Sequence, residues 1–517
     1  MSELLPERLP FRVSQVTGTA TRNSLDDLDH LVIAIAPRAG DKAWANLPEA
    51  ARLRALMQRR GGDRDHALIR SRLANRAATG ITLGQVPELT DGQMAGDGFR
   101  QLKFAGEIIA DALANRPRSL GILVCGFDSA AATALRQALL LAAGAHSFRL
   151  PDYRKEKKRE PQLQQVKLLG HSQRIDLARP LAEIEAANLV RWLTALPPNR
   201  LTATSYREIL AELAEHHDWS MRFLDVTALQ NLGAGAFLAV AQGNATRDAG
   251  IAHLSYRPRK QTQPDIALIG KGVIFDTGGT NLKSFAHMKD MHQDMCGSAV
   301  ALGVLLAITR LKLPIAVDCW LALTENRISA EAYKPRDVVT AANGLTIEVL
   351  HTDAEGRMAL ADTLVLAGRE KPALMIDYAT LTGACIGALT ERYSGVFTNR
   401  PALTPPVLAA GKQSGERIWP FPMDEDFDED IKSNVADVLQ CSAENAGDHI
   451  LAARFLQRFV PKQTPWLHVD LSSAWRKQGL AHVPGGVTGF GVRLTLNLLL
   501  DHGSDVGRLI GRPLAGS

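Results

Sequence analysis

Four carboxylates and three cations gather at three short stretches of the chain. Lys271, Asp276 and Lys283 lie in "GKGVIFDTGGTNLKS" (270–284), Asp294 in "MHQDMCGSA" (291–299), and Asp353, Glu355 and Arg357 in "HTDAEGRMALAD" (351–362). The stretches border apolar runs of strand type, and ligand sites in α/β sheets collect at the carboxyl ends of strands. Residues two apart in an extended segment share a side, so Asp353 and Glu355 are expected to converge. Adjacent Gly278 and Gly279 let the backbone approach a ligand closely. Asp276, Asp294, Asp353 and Glu355 in one pocket would repel one another unless some stayed protonated or cations neutralised them.

Two divalent cations would balance four such charges, and bridging carboxylates suit ions about 3.5–4 Å apart. Hard oxygen ligands fit Mn or Mg as well as Zn. Among cations an ammonium is disfavoured, so Lys271 is expected as a neutral amine ligand, its simpler role being a salt bridge to a carboxylate. Lys283 and Arg357 are candidate stabilisers of charge developing on a substrate oxygen. The simpler reading of 351–362 is a solvated helix start, where acidic residues complement the dipole.

Other chemistries lack their motifs. There is no HExxH, no GxSxG elbow, and no phosphate-binding or dinucleotide fingerprint at a strand-to-helix turn. His287, His292 and His351 lie near the cluster, and each reads first as a polar residue with ordinary partners.

Positioning the three stretches requires a sheet with helices. The first third alternates short apolar runs ("LVIAIA" from Leu31, "LGILVC" from Leu120) with helical ones ("FRQLKFAGEIIADAL" from Phe99, "AAATALRQALLLAAG" from Ala130). That pattern predicts a small α/β domain. A connecting helix, "PLAEIEAANLVRWLTAL", begins at Pro180 and stops at "PPN". We place the boundary near residue 172, giving an N-terminal α/β domain over 1–172, of undefined role, and a catalytic domain over 173–517. In the second, "DIALIGKGVIF", "IAVDCWLALT", "LTIEVL", "ALMIDYAT" and "WLHVDL" alternate with helices, including one over roughly Asp294 to Leu311. The expected fold is α/β, the larger domain holding a mixed sheet covered by helices on both faces.

The composition excludes less. A chain of 517 residues, 46% hydrophobic, has room for two or three domains, and a net charge of +4 spread along it does not imply nucleic acid. The densest basic stretch, "PDYRKEKKREPQ" (151–162), carries two glutamates, flanking prolines and one Tyr, and reads as a solvated loop. Five scattered cysteines without a CxxC pair read as reduced, buried thiols. "MSELLPERLPFRVSQ" lacks the basic and apolar regions of a secretory signal, and no apolar run is expected to approach membrane-spanning length. A cytoplasmic protein is expected.

From Pro180 to Leu500 the chain resembles the leucyl aminopeptidase family of dinuclear metallopeptidases, through "NLVRWLTALPPN", "GKGVIFDTGG", "DMCGSA", "TDAEGRMALAD", "ATLTGAC", "YSGVFTN" and "GVTGFGVRL". The resemblance implies one ion on Lys271, Asp276, Asp294 and Glu355, and a second on Asp276, Asp353 and Glu355 with the Asp353 carbonyl. It implies Mn or Zn first, then Mg or Co. It gives Lys283 to the scissile carbonyl and Arg357 to a bicarbonate acting as general base. Met291, Thr380, Leu381 and Gly383 would contact the substrate, a peptide with a free N-terminus, and the assembly would be a homohexamer. Before residue 170 the resemblance is weak.

The chain also departs from the family pattern. His351 replaces an Asn and is expected as a neutral substrate-side hydrogen-bond partner rather than a third metal ligand. Thr280, Asn281 and Ser284 alter a "GGISLK"-type loop and the Pro after it, and "GDHILAARFL" replaces "GGSITAALFL". The expected reaction is removal of a peptide's N-terminal residue. Its rivals are a two-metal phosphoesterase and an aminopeptidase-fold regulatory protein on DNA.

Overall fold

The computed structural model describes residues 4–18, 25–60, 68–87, 97–156, 161–444 and 446–514. It divides into two compact units. One comprises Glu7–Glu185 and Lys477–Gly486; the other comprises Met1–Pro6, Ala186–Arg476 and Val487–Ser517. Residue 172 lies just ahead of the helix Ala178–Ala195, within which the two main spans meet.

The Glu7–Glu185 unit is built on strands β1 (Arg12–Thr17), β2 (His30–Ile35), β3 (Ile69–Arg72), β4 (Gly80–Gln85), β5 (Ser119–Cys125) and β6 (Gln165–His171), in the order β1-β6-β5-β2-β4-β3. Among the described residues only the β3–β4 pairing of this sheet is antiparallel. β2 is buried throughout, and its alternation feeds two cores. Val32 and Ala34 join the cluster under helices Gly98–Leu113 and Ser129–Ser147, whereas Leu31, Ile33 and Ile35 pack with Trp44, Leu47 and Leu53. Asp97 and Asp128 cap those two helices, accepting from Arg100 N at 3.1 Å and Ala131 N at 2.8 Å. In the basic stretch, Arg154 pairs with Asp152 at 2.7 Å, and residues 157–160 lie outside the described residues.

The larger unit carries β7 (Ser220–Asp225), β8 (Gly250–Tyr256), β9 (Ile266–Asp276), β10 (Val317–Asn326), β11 (Val338–Thr340), β12 (Thr346–Glu348), β13 (Leu374–Ala379), β14 (Ser394–Thr398), β15 (Ile418–Pro420), β16 (Val438–Leu439) and β17 (Trp466–Asp470). Eight form a mixed sheet in the order β15-β14-β17-β13-β9-β10-β8-β7. Its centre, β17-β13-β9-β10, is parallel, and antiparallel pairings flank it. The run "LTIEVL" is not part of it: β12 belongs to a separate three-stranded sheet, β11-β12-β16.

Two helices sandwich β9. A side chain at position 270 would strike Ser298 of the helix Cys296–Arg310, while the next residue, Lys271, runs beside Gly356 of the helix Glu355–Arg369. Successive strand residues face opposite ways, so the helices cover opposite faces, as the sequence pattern predicts. The segment Phe285–Arg310 is, by length and composition, apolar enough to cross a membrane, which corrects the expectation of no such run. Its 18-residue window of mean hydropathy 1.3 is 83% buried inside the fold, so it serves as core. All five cysteines are buried and unbridged.

Candidate active site

β9 contributes both Lys271 and Asp276, which five positions of regular strand would place on opposite faces. The register with β10 explains their convergence. Val273 pairs with Thr324 and Asp276 with Asn326, so three steps on β9 match two on β10. This bulge adds one residue, which reverses the alternation and returns Asp276 to the side of Lys271. Asn326 then donates to Asp276 Oδ1 at 2.8 Å, and Gly278 N donates to the same oxygen at 2.8 Å. The chain turns away through Gly278 and Gly279 at φ +86° and +63°, the left-handed region open to glycine.

Asp294 does not open the long helix, as its sequence position suggested. It ends a short 3₁₀ turn, Met291–Gln293, and the α-helix begins at Cys296. Asp353 and Glu355 do converge, but not through extended backbone. Asp353 lies in a turn closed by Ala354 N donating to His351 O at 3.0 Å, and Glu355 is the first residue of its helix. The turn is stitched to the Gly278–Lys283 loop: Asn281 N donates to Thr352 Oγ1 at 2.8 Å, and Thr352 N donates to Asn281 Oδ1 at 2.9 Å. Thr280 donates to the Tyr333 carbonyl at 3.1 Å. Two of the residues departing from the family pattern thus brace the loop.

Among the described residues, Asp276, Asp353 and Glu355 each offer a carboxylate oxygen within 4.8 Å of the others, a grouping able to hold a cation. Asp294 joins them through Lys271, whose Nζ lies 2.8 Å from Asp294 Oδ2 and 2.9 Å from Glu355 Oε1, and donates to the Thr380 carbonyl at 3.0 Å. Lys283 pairs with Asp276 Oδ2 at 2.9 Å and also with Asp353. Burial acts to neutralise both lysines, but the surrounding carboxylates outweigh it and raise both ammonium pKa values. Burial lifts Asp294, Asp353 and Glu355 above the ordinary carboxyl range; neighbouring carboxylates add to this and the lysines oppose it. The Lys271 Nζ stands at salt-bridge distance from both the Asp294 and Glu355 carboxylates, and the same position would suit a deprotonated amine as a ligand. Gly356 gives Lys271 room: a Cβ there would stand 2.6 Å from both its Cε and its Nζ.

The wall opposite is the β13-to-helix turn. Thr380 Oγ1 donates to Asp294 Oδ1 at 2.7 Å, and Asp470 accepts from Leu381 N at 3.2 Å and from Thr382 Oγ1 at 2.7 Å. Gly383 begins the helix Gly383–Leu389, and Met291 starts the 3₁₀ turn. His351 is exposed, and its Nδ1 accepts from Asp353 N at 3.3 Å. Burial and Lys283 hold its pKa below the ordinary histidine value, with Asp448 opposing and Arg357 adding to the depression. It stands outside the carboxylate grouping.

Arg357 is buried, donating through Nη2 to both oxygens of Asp448 at 2.8 Å and through Nη1 to the Gln440 carbonyl at 3.2 Å. Asp448 was visible in the sequence only as one departure within "GDHILAARFL". Gln440 and Asn326 had no sequence signal, because their roles arise from contacts across 26 to 90 residues of chain.

Residues 188–496 match the model of the cytosol aminopeptidase family, catalytic domain. A probable cytosol aminopeptidase of Syntrophotalea carbinolica is 39% identical over 411 residues, covering 77% of this chain and 79% of that one. A tomato leucine aminopeptidase mutant superposes with a TM-score of 0.81 at 27% identity, covering 96% of this chain and 98% of its own. The bottromycin maturation enzyme BotP in complex with Mn gives 0.78 at 30% identity, covering 93% and 99%. The chain belongs to the cytosol aminopeptidase family.

Proposed function

We propose that the protein removes the N-terminal residue from peptides with water activated at the carboxylate cluster. It is an aminopeptidase, a hydrolase of the leucyl aminopeptidase type, and the observation that carries the site assignment is the cluster itself. Among the described residues, four carboxylates, three of them within mutual ligand distance, form salt bridges only with Lys271 and Lys283, and Glu355 Oε2 is buried without a hydrogen bond. Such a donor set fits hard divalent ions.

In this reading Lys271, Asp276, Asp294 and Glu355 would hold one ion, and Asp276, Asp353 and Glu355, with the Asp353 carbonyl, would hold the other. When bound, the pair would polarise the scissile carbonyl, receive the free amine and ease deprotonation of a water. Lys271 must then give up its proton, which couples binding to proton release. Lys283, tethered between Asp276 and Asp353, supplies positive charge to the developing oxyanion. The Thr380–Gly383 turn and Met291 frame the substrate. The Mn in the BotP complex supports manganese, with Zn, Mg and Co as alternatives; the relatives' names support a cytoplasmic peptidase, and the family resemblance supports a homohexamer.

The test is the substrate's amine. Acetylation removes its donor lone pair, so N-acetyl-Leu amide is expected to turn over far more slowly than Leu amide under the same metal loading. Comparable turnover of the two overturns the reading, and hydrolysis of a phosphate ester in place of an aminoacyl anilide would favour the phosphoesterase.

A further inference from the structure

Arg357 lies two residues beyond Glu355 on the same helix, with its side chain 3% exposed. The bicarbonate that the family resemblance places on it does not fit this chain. Both Asp448 oxygens already engage Nη2, the Gln440 carbonyl engages Nη1, and Nε is buried without a hydrogen bond among the described residues. A second anion pressed against Asp448 would meet like-charge repulsion inside the protein.

The carboxylate in that seat is built into the fold. Asp448 is the first residue of the helix Asp448–Gln457 and follows Gly447 at φ +68°. Its side chain remains one quarter exposed, so the carboxylate is both fixed and accessible. Gln440 joins the seat to the loop carrying Asp353: its Oε1 accepts from Leu350 N at 3.1 Å and His351 N at 3.0 Å, and its Nε2 donates to the Ala354 carbonyl at 3.0 Å. His351, on that loop, feels the charges of Lys283, Asp448 and Arg357 together.

We propose that Asp448 is the proton-accepting carboxylate of this peptidase, clamped by Arg357 and making dissolved bicarbonate unnecessary. This rests on the aminopeptidase reading of the same site. As the water oxygen bonds to the carbonyl carbon, a water proton passes to the Asp448 carboxylate. As the C–N bond breaks, its electron pair stays on nitrogen, and Asp448 returns the proton to that nitrogen. One water is consumed, and Asp448 ends as it began. A tethered base forgoes the entropic cost of recruiting a free anion.

The experiment compares metal-loaded wild type, Asp448→Gly and Asp448→Asn on Leu anilide, in CO2-free buffer with and without added bicarbonate. Binding of ¹³C-labelled bicarbonate is followed by NMR. Wild type is expected to be indifferent to bicarbonate and not to bind it. Asp448→Gly is expected to lose about 10²- to 10⁴-fold in rate, the usual share of a general base, and to regain activity as bicarbonate enters the emptied seat. Asp448→Asn keeps the seat filled with a group that takes no proton, so it is expected to be slow and not rescued. A bicarbonate-dependent wild type overturns the proposal, as does Asp448→Gly at full rate without bicarbonate. If wild type does not cleave Leu anilide, the aminopeptidase reading fails instead, and labelled bicarbonate bound to wild type would still refute the filled seat.

Discussion

The two halves of the carboxylate cluster are built differently. In the deep half, the side chains of Lys271, Glu355 and Asp294 are 4%, 2% and 7% exposed, and they come from a central strand, a helix start and a 3₁₀ turn packed on the sheet. In the outer half, those of Lys283 and Asp353 are 13% and 26% exposed and sit on two loops joined through Thr352 and Asn281. Charges in the deep half are screened little by water, so their balance governs what the site can hold. The outer half can be altered with less disturbance, which suits it to meeting the substrate.

Asp276 belongs to both halves, and its loss gives the largest expected effect. Asp276→Ala is expected to abolish peptidase activity and to hold fewer than two equivalents of metal. Two equivalents measured in the purified variant would break the comparison by removing its shared member. Lys283→Ala comes next: metal content stays close to wild type while the rate falls about 100- to 1,000-fold, the usual share of a charge-stabilising donor. Loss of metal in step with the rate would show that the outer half also governs binding. His351→Asn is the smallest change, expected to reorder turnover among Leu-X dipeptides by a few-fold while leaving Leu anilide nearly untouched. Identical ratios for every X at matched metal loading would show a side chain that points outward without effect.

Much of the deep half was legible because its residues fall in compact motifs, and short apolar runs between helices located β9, β10, β13 and β17. The reasons for convergence were less legible. Nothing in "GKGVIFD" announces the bulge that turns Asp276 back toward Lys271, because a bulge exists only against its partner strand. The alternation argument joined Asp353 and Glu355 for the wrong reason: a turn and a helix start bring them together. "LTIEVL" read as a strand of the main sheet, yet only Thr346–Glu348 pairs, and in a small separate sheet. Asp448 escaped notice as an Arg357 partner because 91 residues separate the pair.

Gly356 sets a limit of another kind. Its missing side chain is the clearance beside which the Lys271 Nζ reaches both Glu355 and Asp294. An alanine there changes no charge and removes no donor or acceptor, yet its Cβ would stand 2.6 Å from Lys271 Cε and Nζ, so the end of the lysine would have to shift, and metal ligands tolerate only about 0.2 Å. Mutational drift at this position is therefore constrained by mechanical tolerance, and a chemically conservative exchange can detune the site as surely as the loss of a ligand.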